Sequence, residues 1–176
     1  TKFVPPVLCG EKIAALAVTE PGAGSDVASI TTRAIRDGDH YVVSGEKMFI
    51  TSGVRADFVV AAVRTGDAGH GGISLLVIPR DAPGYSISKA IKKTGWRSSD
   101  TAAISFDGCR VPIVNRIGQE NQGFYAIMTN FVSERLHLGA QCVAIAELAY
   151  RESIDYARMR EAFGKIEPLV MAFYAR

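Results

Sequence analysis

Short apolar and β-prone runs, separated by glycine, proline and aspartate, fill the first two thirds of the chain. The run Ile13–Val18 is typical of one buried strand bounded by turns. Two β-prone runs at 31–36 and 40–44 flank Asp37-Gly38-Asp39 and predict a hairpin, because Asp-Gly favours tight hairpin turns. Further strands are predicted at residues 58–63, 73–78 and 102–106. This pattern predicts a closed or sandwiched antiparallel sheet over about residues 13–114, without a helix.

The hydrophobic period changes near Glu120. Apolar residues now recur every three or four positions, at Phe124, Ile127, Met128, Phe131, Leu138, Cys142, Ile145 and Ala149. This spacing predicts an amphipathic helix that runs to about Ala162, with Gly164 at its end. The fold class is therefore α+β: an antiparallel β-barrel or sandwich middle domain at 1–115, then α-helices of a helical bundle at 116–176. Residues 1–12 are predicted to be a loop.

Composition and charge exclude several function classes. The chain has 176 residues and a formal net charge of +2, and no basic run with interleaved aromatics suggests nucleic-acid binding. No apolar stretch approaches the ~20 residues that a membrane span requires. Cys9, Cys109 and Cys142 lack the spacing of metal ligands, so no metal site is expected. Buried, reduced thiols in a reducing compartment are expected instead.

The octapeptide Thr19–Asp26 follows the first predicted strand and is the first candidate for chemistry. Gly22 and Gly24 permit backbone conformations closed to other residues, and such a loop would let backbone N–H groups approach a ligand. Thr19 and Ser25 add hydroxyl groups on either side. A simple turn remains the alternative for the glycines alone, since short glycine motifs are weak signals.

The complete octapeptide Thr-Glu-Pro-Gly-Ala-Gly-Ser-Asp resembles the signature of the acyl-CoA dehydrogenase family. Three further stretches match that family in order, namely Met48–Gly53, Ser99–Thr101 leading to Arg110–Pro112, and Arg160–Lys165. Members are flavoenzymes that desaturate acyl-CoA thioesters between Cα and Cβ. The resemblance implies an FAD cofactor, an acyl-CoA substrate, electron-transfer flavoprotein as acceptor and a homotetramer with FAD bridging subunits. It also implies a bacterial cytoplasmic or mitochondrial matrix location.

The resemblance assigns the cofactor contacts to Leu16, Val18, Thr19, Gly24, Ser25, Phe49, Ile50, Thr51, Arg160 and Ala162. Phe49 would pack on the flavin ring, and Thr51 would place its hydroxyl near the nitrogen that accepts hydride. Core packing is the alternative for Phe49. Arg160 would reach the FAD pyrophosphate of a neighbouring subunit, or else be a solvated helix charge. Ala162 replaces a hydroxyl residue of other members, so that contact is either lost or made by the backbone alone.

Glu134 is the candidate catalytic base. It falls on the apolar stripe between Phe131 and Leu138, where apolar neighbours are expected to desolvate a carboxylate and strengthen it as a base. A structural salt bridge with Arg135 or His137, or an exposed stripe edge, is the alternative. Glu134-Arg135-Leu136 resembles the isovaleryl and long-chain subgroup, which carries the base on this helix.

Substrate contacts and competing functions complete the expectations. By resemblance, Arg135 would help hold the substrate and Ser25 would contact its pantetheine arm, although Ser25 could also be a turn hydroxyl. Trp96 could line the acyl cavity or fill the core. An acyl-CoA oxidase or flavin monooxygenase on the same fold, or a non-catalytic binding module, remains a rival. The family has a helical domain before this region and a different sequence after Lys165, so the chain is expected to be a fragment.

Overall fold

The computed structural model describes residues 2–162 and 165–166. The chain divides into two compact units, the first ending at Met128 and the second beginning at Thr129. The domain boundary that the sequence predicts at 115/116 stays a prediction. Within the described residues, no helix combines the length and the apolarity that crossing a bilayer would require.

Eight strands of the first unit form one sheet. They are β1 (Ala14–Ala17), β2 (Arg33–Asp37), β3 (His40–Thr51), β4 (Phe58–Arg64), β5 (Ile73–Pro79), β6 (Tyr85–Ala90), β7 (Thr101–Pro112) and β8 (Arg116–Ile117). The strand order is β6-β7-β3-β2-β4-β5-β8, and β1 pairs with β4 outside this path. Together with a long helix at Gly123–Met159, this sheet confirms the α+β class.

Most of the sheet is antiparallel, as predicted. The exceptions are β1, which runs parallel to β4 from Ala14–Phe58 to Ala17–Ala61, and the single parallel pair Arg33–Arg64 that joins β2 to β4. The antiparallel group of β2, β3, β6 and β7 therefore meets β4 through one residue pair. Inward-facing side chains of both groups, including Tyr41 and Val59, share one hydrophobic core. The sheet is thus mixed, and it folds over a common interior.

The first strand is half-buried, which differs from the prediction of a wholly buried strand. Ala15 and Ala17 face the core, whereas Ala14 and Leu16 are exposed. This alternation follows from the period of two in side-chain direction along a strand. Leu16 therefore lies on the outer surface, shortly before the octapeptide Thr19–Asp26, which we call the glycine-containing loop.

Several turn-forming residues lie within helices and strands in the structure. The predicted loop at 1–12 contains helix α1, Val4–Leu8, whose prolines lie in its first positions, where no intrahelical donor is lost. Strands β6 and β8 were not predicted. Strand β7 continues through Asp107-Gly108 because Gly108 adopts φ +61° and donates its N–H to Ser44 Oγ at 3.2 Å. A residue pair typical of turns here lies inside a strand.

The long helix, α2, ends at Met159 rather than near Ala162. A short strand β9, Glu161–Ala162, follows it and pairs antiparallel with β10, Lys165–Ile166. In this pairing the backbone of Glu161 and Ala162 pairs with a strand instead of continuing the hydrogen bonds of the helix. The helix end predicted at Gly164 lies outside the described residues. Three-residue 3₁₀ turns occupy Val27–Ser29, His70–Gly72 and Ile113–Asn115.

The expectation of buried thiols holds for one cysteine. Cys109 is buried in the core, and burial raises the pKa of its thiol. Cys9 and Cys142 are exposed, so the prediction is wrong for them. Within the described residues, no group of three His, Cys, Asp or Glu side chains is arranged to hold a metal ion.

Candidate functional site

A backbone hydrogen bond joins two of the sequence motifs. The N–H of Met48 donates to the carbonyl oxygen of Thr19 at 2.8 Å, so the end of β3 lies beside the loop that follows β1. Within the loop, Glu20 N donates to Ala23 O at 2.7 Å and Ala23 N donates back to Glu20 O at 3.2 Å. These two backbone bonds close a tight turn around Pro21.

The glycines of this loop are not required by backbone conformation. Neither Gly22 nor Gly24 has a positive φ, so neither uses the backbone freedom that glycine permits. A Cβ added at Gly24 would meet Thr19 Cγ2 at 3.4 Å, an ordinary contact, and one added at Gly22 would meet nothing within 4 Å. The fold itself tolerates a side chain at either position. What the glycines provide is open space over the backbone.

Phe49 is held outward in a strained conformation. Its side chain is 61% exposed and its φ is +61°, a left-handed value that is uncommon for an aromatic residue. The pairing of β3 with β7 shifts register between Lys47 and Ile50, and this bulge turns Phe49 away from the core. Ser52 also has φ +61°. Core packing is thereby excluded for Phe49, and such strain is typical of functional sites.

Asp100 fixes the turn that follows Thr51. Its backbone carbonyl accepts from Ser52 N at 3.0 Å, and its Oδ1 accepts from Val54 N at 2.7 Å. Its Oδ2 lies 2.9 Å from Arg55 Nε. We call these three contacts of Asp100 the Asp100 clamp. Because Thr51 pairs with Thr101, the clamp lies directly beside the end of β3. The Ser99–Thr101 motif of the sequence therefore acts through Asp100 on the neighbouring motif.

The predicted cofactor residues of the first unit divide by exposure. The exposed ones are Leu16, Gly24, Ser25, Phe49 and Thr51, and Thr19 is half-buried. Val18 and Ile50 point into the core, so they can offer a ligand only their backbone groups. The surface around the Thr19–Met48 hydrogen bond thus presents an aromatic ring, hydroxyl groups and bare backbone.

Sequence reasoning missed a buried ion pair beneath this surface. Lys47 Nζ lies 2.8 Å from Glu20 Oε1, and both side chains are almost completely buried, Lys47 at 0% exposure. Burial lowers the pKa of Lys47 to about 8, against the attraction of Glu20. Burial alone would raise the pKa of Glu20, but Lys47 and the hydrogen bonds from Thr32 and Thr31 outweigh it and lower that pKa to about 2. A signal was available, since Lys47 shares the inward register of Tyr41 in β3.

Trp96 does not fill the core. Its side chain is 77% exposed, and its φ of +52° places it at a turn closed by the bond from Ser99 N to Trp96 O. A cleft of about 480 Å³ lies in the same segment and is lined by three cationic side chains, Lys92, Lys93 and Arg97, together with Asp100. The cleft adjoins the Asp100 clamp.

The helical candidates belong to the second unit. Glu134 is exposed and accepts a hydrogen bond from Asn130 Nδ2 at 2.5 Å. The apolar residues further along its stripe are exposed as well, so the residues of this chain do not cover the Glu134 carboxylate. Arg135 places its guanidinium 5.9 Å from the centroid of Phe131, and the described residues hold no ion pair of Glu134 with Arg135 or His137.

Arg160 and Ala162 follow the end of α2. Arg160 is exposed, and its N–H donates to Tyr156 O at 2.9 Å. Ala162 lies in β9, where its backbone pairs with Lys165. Phe163 and Gly164, which continue the same motif, lie outside the described residues.

Comparison with known proteins agrees with the resemblance seen in the motifs. The model for the acyl-CoA dehydrogenase middle domain matches residues 15–109, and the model for the acyl-CoA dehydrogenase C-terminal domain matches residues 121–171. The acyl-CoA dehydrogenase AFT10-1 of Alternaria alternata is 44% identical over 96% of this chain and 38% of its own length. The mitochondrial isobutyryl-CoA dehydrogenase of Bos taurus is 41% identical over 98% of this chain and 41% of its own length.

Solved structures give the same result. A probable acyl-CoA dehydrogenase from Mycobacterium abscessus is 51% identical with a TM-score of 0.94, over 99% of this chain and 47% of that one. The chain spans about two fifths of the length of the curated relatives named above. Since the middle-domain model alone matches more than half of its residues, the chain belongs to the acyl-CoA dehydrogenase family.

Proposed function

We propose that this chain forms the flavin face and part of the catalytic machinery of an FAD-dependent acyl-CoA dehydrogenase. The observation that carries the proposal is the hydrogen bond from Met48 N to Thr19 O. It brings the glycine-containing loop beside the strained Phe49, so two sequence motifs form one surface. Neither motif would present a continuous ligand surface alone.

The residues of this surface fit FAD. A flat ring needs an apolar or aromatic side chain against one face, and exposed Phe49 and Leu16 supply such groups. Thr51 offers a hydroxyl that could donate to a ring nitrogen. The open space at Gly24 lets backbone N–H groups approach the pyrophosphate. When bound, FAD would supply the redox chemistry by accepting a hydride from the β-carbon of the substrate.

Glu134 is proposed as the base that takes the α-proton of an acyl-CoA thioester. The sequence Glu134-Arg135-Leu136 and the placement of these residues on a regular helix support an isovaleryl or long-chain type of enzyme. The Glu134 carboxylate is exposed and keeps one oxygen outside its bond with Asn130. Arg135 and Ser25 would orient the CoA portion, since both are exposed and can donate hydrogen bonds.

The remaining parts of the proposal concern assembly and electron transfer. Arg160 would hold the pyrophosphate of an FAD bound to a neighbouring subunit of a homotetramer, with Ala162 taking part through its backbone. Electron-transfer flavoprotein is the proposed acceptor. The bovine relative is named as mitochondrial. A mitochondrial matrix or bacterial cytoplasmic location belongs to the same proposal.

Anaerobic titration of the purified flavoprotein with a panel of acyl-CoA thioesters tests this function. We expect at least one straight-chain or branched thioester to bleach the visible absorbance of the flavin. If none does, the dehydrogenase proposal is overturned. Rapid reoxidation of the bleached flavin by oxygen would assign an oxidase instead, and a purified protein that takes up no FAD would favour a non-catalytic module.

A further inference from the structure

The buried ion pair of Glu20 and Lys47 has no part in the function proposed so far. Glu20 belongs to the glycine-containing loop, and Lys47 directly precedes Met48 at the bulge of β3. The pair therefore lies next to the backbone bond between Thr19 and Met48. The ion pair is therefore placed to hold the loop and strand β3 together at this point.

The Glu20 carboxylate accepts four hydrogen bonds. Oε1 accepts from Lys47 Nζ at 2.8 Å and from Thr32 N at 3.0 Å. Oε2 accepts from Thr31 N at 2.6 Å and from Thr31 Oγ1 at 2.9 Å. Four donors saturate the two oxygens, so an ionised carboxylate is the one group of this size that satisfies them all.

Lys47 extends the same network to the start of the loop. Its ammonium also donates to Val18 O at 3.0 Å. The network thus fastens the residues before the loop turn, the turn itself at Glu20, and the entry into β2 at Thr31 and Thr32. All three segments are tied to the strand that carries Phe49.

We propose that Glu20 and Lys47 are positioning residues that set the spacing between the glycine-containing loop and Phe49, and thereby the affinity for FAD. Because an intact buried ion pair is often no more stabilising than apolar side chains of the same volume, a role in fixing one conformation accounts better for its presence. This inference rests on the proposed function, since it assumes that FAD lies across the two segments. Neither side chain reaches the surface, so neither is expected to touch the cofactor.

The test compares the FAD dissociation constant and the visible circular dichroism of bound flavin between variants. Glu20→Gln keeps the shape but offers a donor where a carboxylate oxygen accepted, so we expect FAD binding to weaken by about tenfold or more. The dichroism of the bound flavin should change as well. Both readings are taken where far-ultraviolet dichroism shows the protein to be folded.

Ser74→Ala is the matched control. Ser74 is also fully buried, and it lies away from the loop. The variant loses the hydrogen bond between Ser74 Oγ and Thr65 Oγ1 and the one that Ser74 Oγ accepts from Asn121 N. We expect its FAD affinity to stay within about twofold of the wild type. If both variants weaken FAD binding equally, general destabilisation is the cause and the inference fails.

A milder variant covers the case in which Glu20→Gln does not fold. Thr31→Val removes only the Oγ1 bond to Glu20 at an exposed residue, and roughly fivefold weaker FAD binding is expected. Unchanged affinity and dichroism in the folded loop variants would overturn the inference while leaving the proposed function intact. A wild-type protein that binds no FAD would instead overturn both.

Discussion

The β-sheet unit and the long helix differ in how far their side chains are buried. In the sheet unit even a lysine, Lys47, is completely enclosed, with its charge paired and hydrogen-bonded. Along α2, apolar residues such as Leu138 and Ile145 are more than half exposed. Two valines show the contrast directly, since Val63 of β4 is 0% exposed and Val143 of α2 is 63% exposed.

This difference separates the candidate site residues into two kinds. Phe49 and Thr51 take their positions from bonds within the sheet unit, including the bulge at Lys47 and the Asp100 clamp. Glu134 has a defined place on a helix, and the residues around it in this chain are exposed. Contacts within the sheet unit therefore position the proposed cofactor surface, whereas the proposed role of Glu134 is tested by substitution.

The variant Glu134→Gln tests the proposed role of α2 in catalysis. If Glu134 is the base, turnover should fall by about 10³-fold, because a positioned general base contributes 10²–10⁴-fold. Bound flavin should remain at wild-type occupancy. The measurements are steady-state turnover with the acyl-CoA that bleaches the flavin best, and flavin content after purification.

Glu147→Gln is the control for that variant. Glu147 is an exposed carboxylate on the same helix, paired weakly with Arg151 at 3.9 Å. Its replacement should leave turnover unchanged. Near-normal activity of Glu134→Gln would discard Glu134 as the base and send the search to another carboxylate.

In the β-sheet unit, acid should lower the free energy of unfolding by protonating Glu20. The folded-state pKa of Glu20 is about 2 and its ordinary value is 4.5. Its contribution to the free energy of unfolding is therefore complete above pH 4.5 and is lost as the pH falls towards 2. The loss should reach about 3 kcal/mol, at 1.36 kcal/mol per pKa unit.

Urea denaturation at several pH values between 5 and 2.5 would measure this dependence. Other carboxylates also titrate in this range, so the comparison is with Glu20→Gln. That variant should show a shallower fall in the free energy of unfolding. Equal slopes in both proteins would mean that the Glu20 carboxylate is not held by its buried partners.

The contrast between the two units also explains what the sequence could predict. Period-two and helical patterns located most of the core strands and α2, because they depend on local side-chain direction. Gly108 lies within β7 and α1 contains two prolines, so turn-forming residues gave wrong local assignments there. Which strands pair, and the parallel direction of β1, depend on contacts distant in sequence.

The candidate site was predictable in part for the same reason. Family motifs indicated Phe49 and Thr51, and the structure shows them on one exposed strand end. The roles of Lys47 and Asp100 depend on three-dimensional neighbours, since each bonds to residues more than twenty positions away. Neither motif resemblance nor periodicity reports such partners. Within this chain the stripe that carries Glu134 is exposed, so the expected desolvation of Glu134 stays a prediction.

A pair of valine truncations tests the contrast in burial itself. Val63→Ala opens a cavity in the shared core and should lower the free energy of unfolding by about 2 kcal/mol. Val143→Ala removes the same atoms from an exposed position and should change it by less than about 0.5 kcal/mol. Chemical denaturation of both variants gives the comparison. An equal loss in Val143→Ala would show that contacts outside this chain cover the helix.

Gly24→Ala should have a smaller effect, and it separates the needs of the fold from those of the ligand. The added Cβ would meet Thr19 Cγ2 at an ordinary 3.4 Å and φ is not positive, so stability should be unchanged or slightly raised. If FAD lies over this backbone, the methyl group would hinder its approach, and FAD should bind about tenfold more weakly. Gly71→Ala is the control, because a Cβ there meets nothing within 4 Å and lies outside the loop. Equal FAD affinity in both variants would show that the open space at Gly24 is not where the cofactor binds.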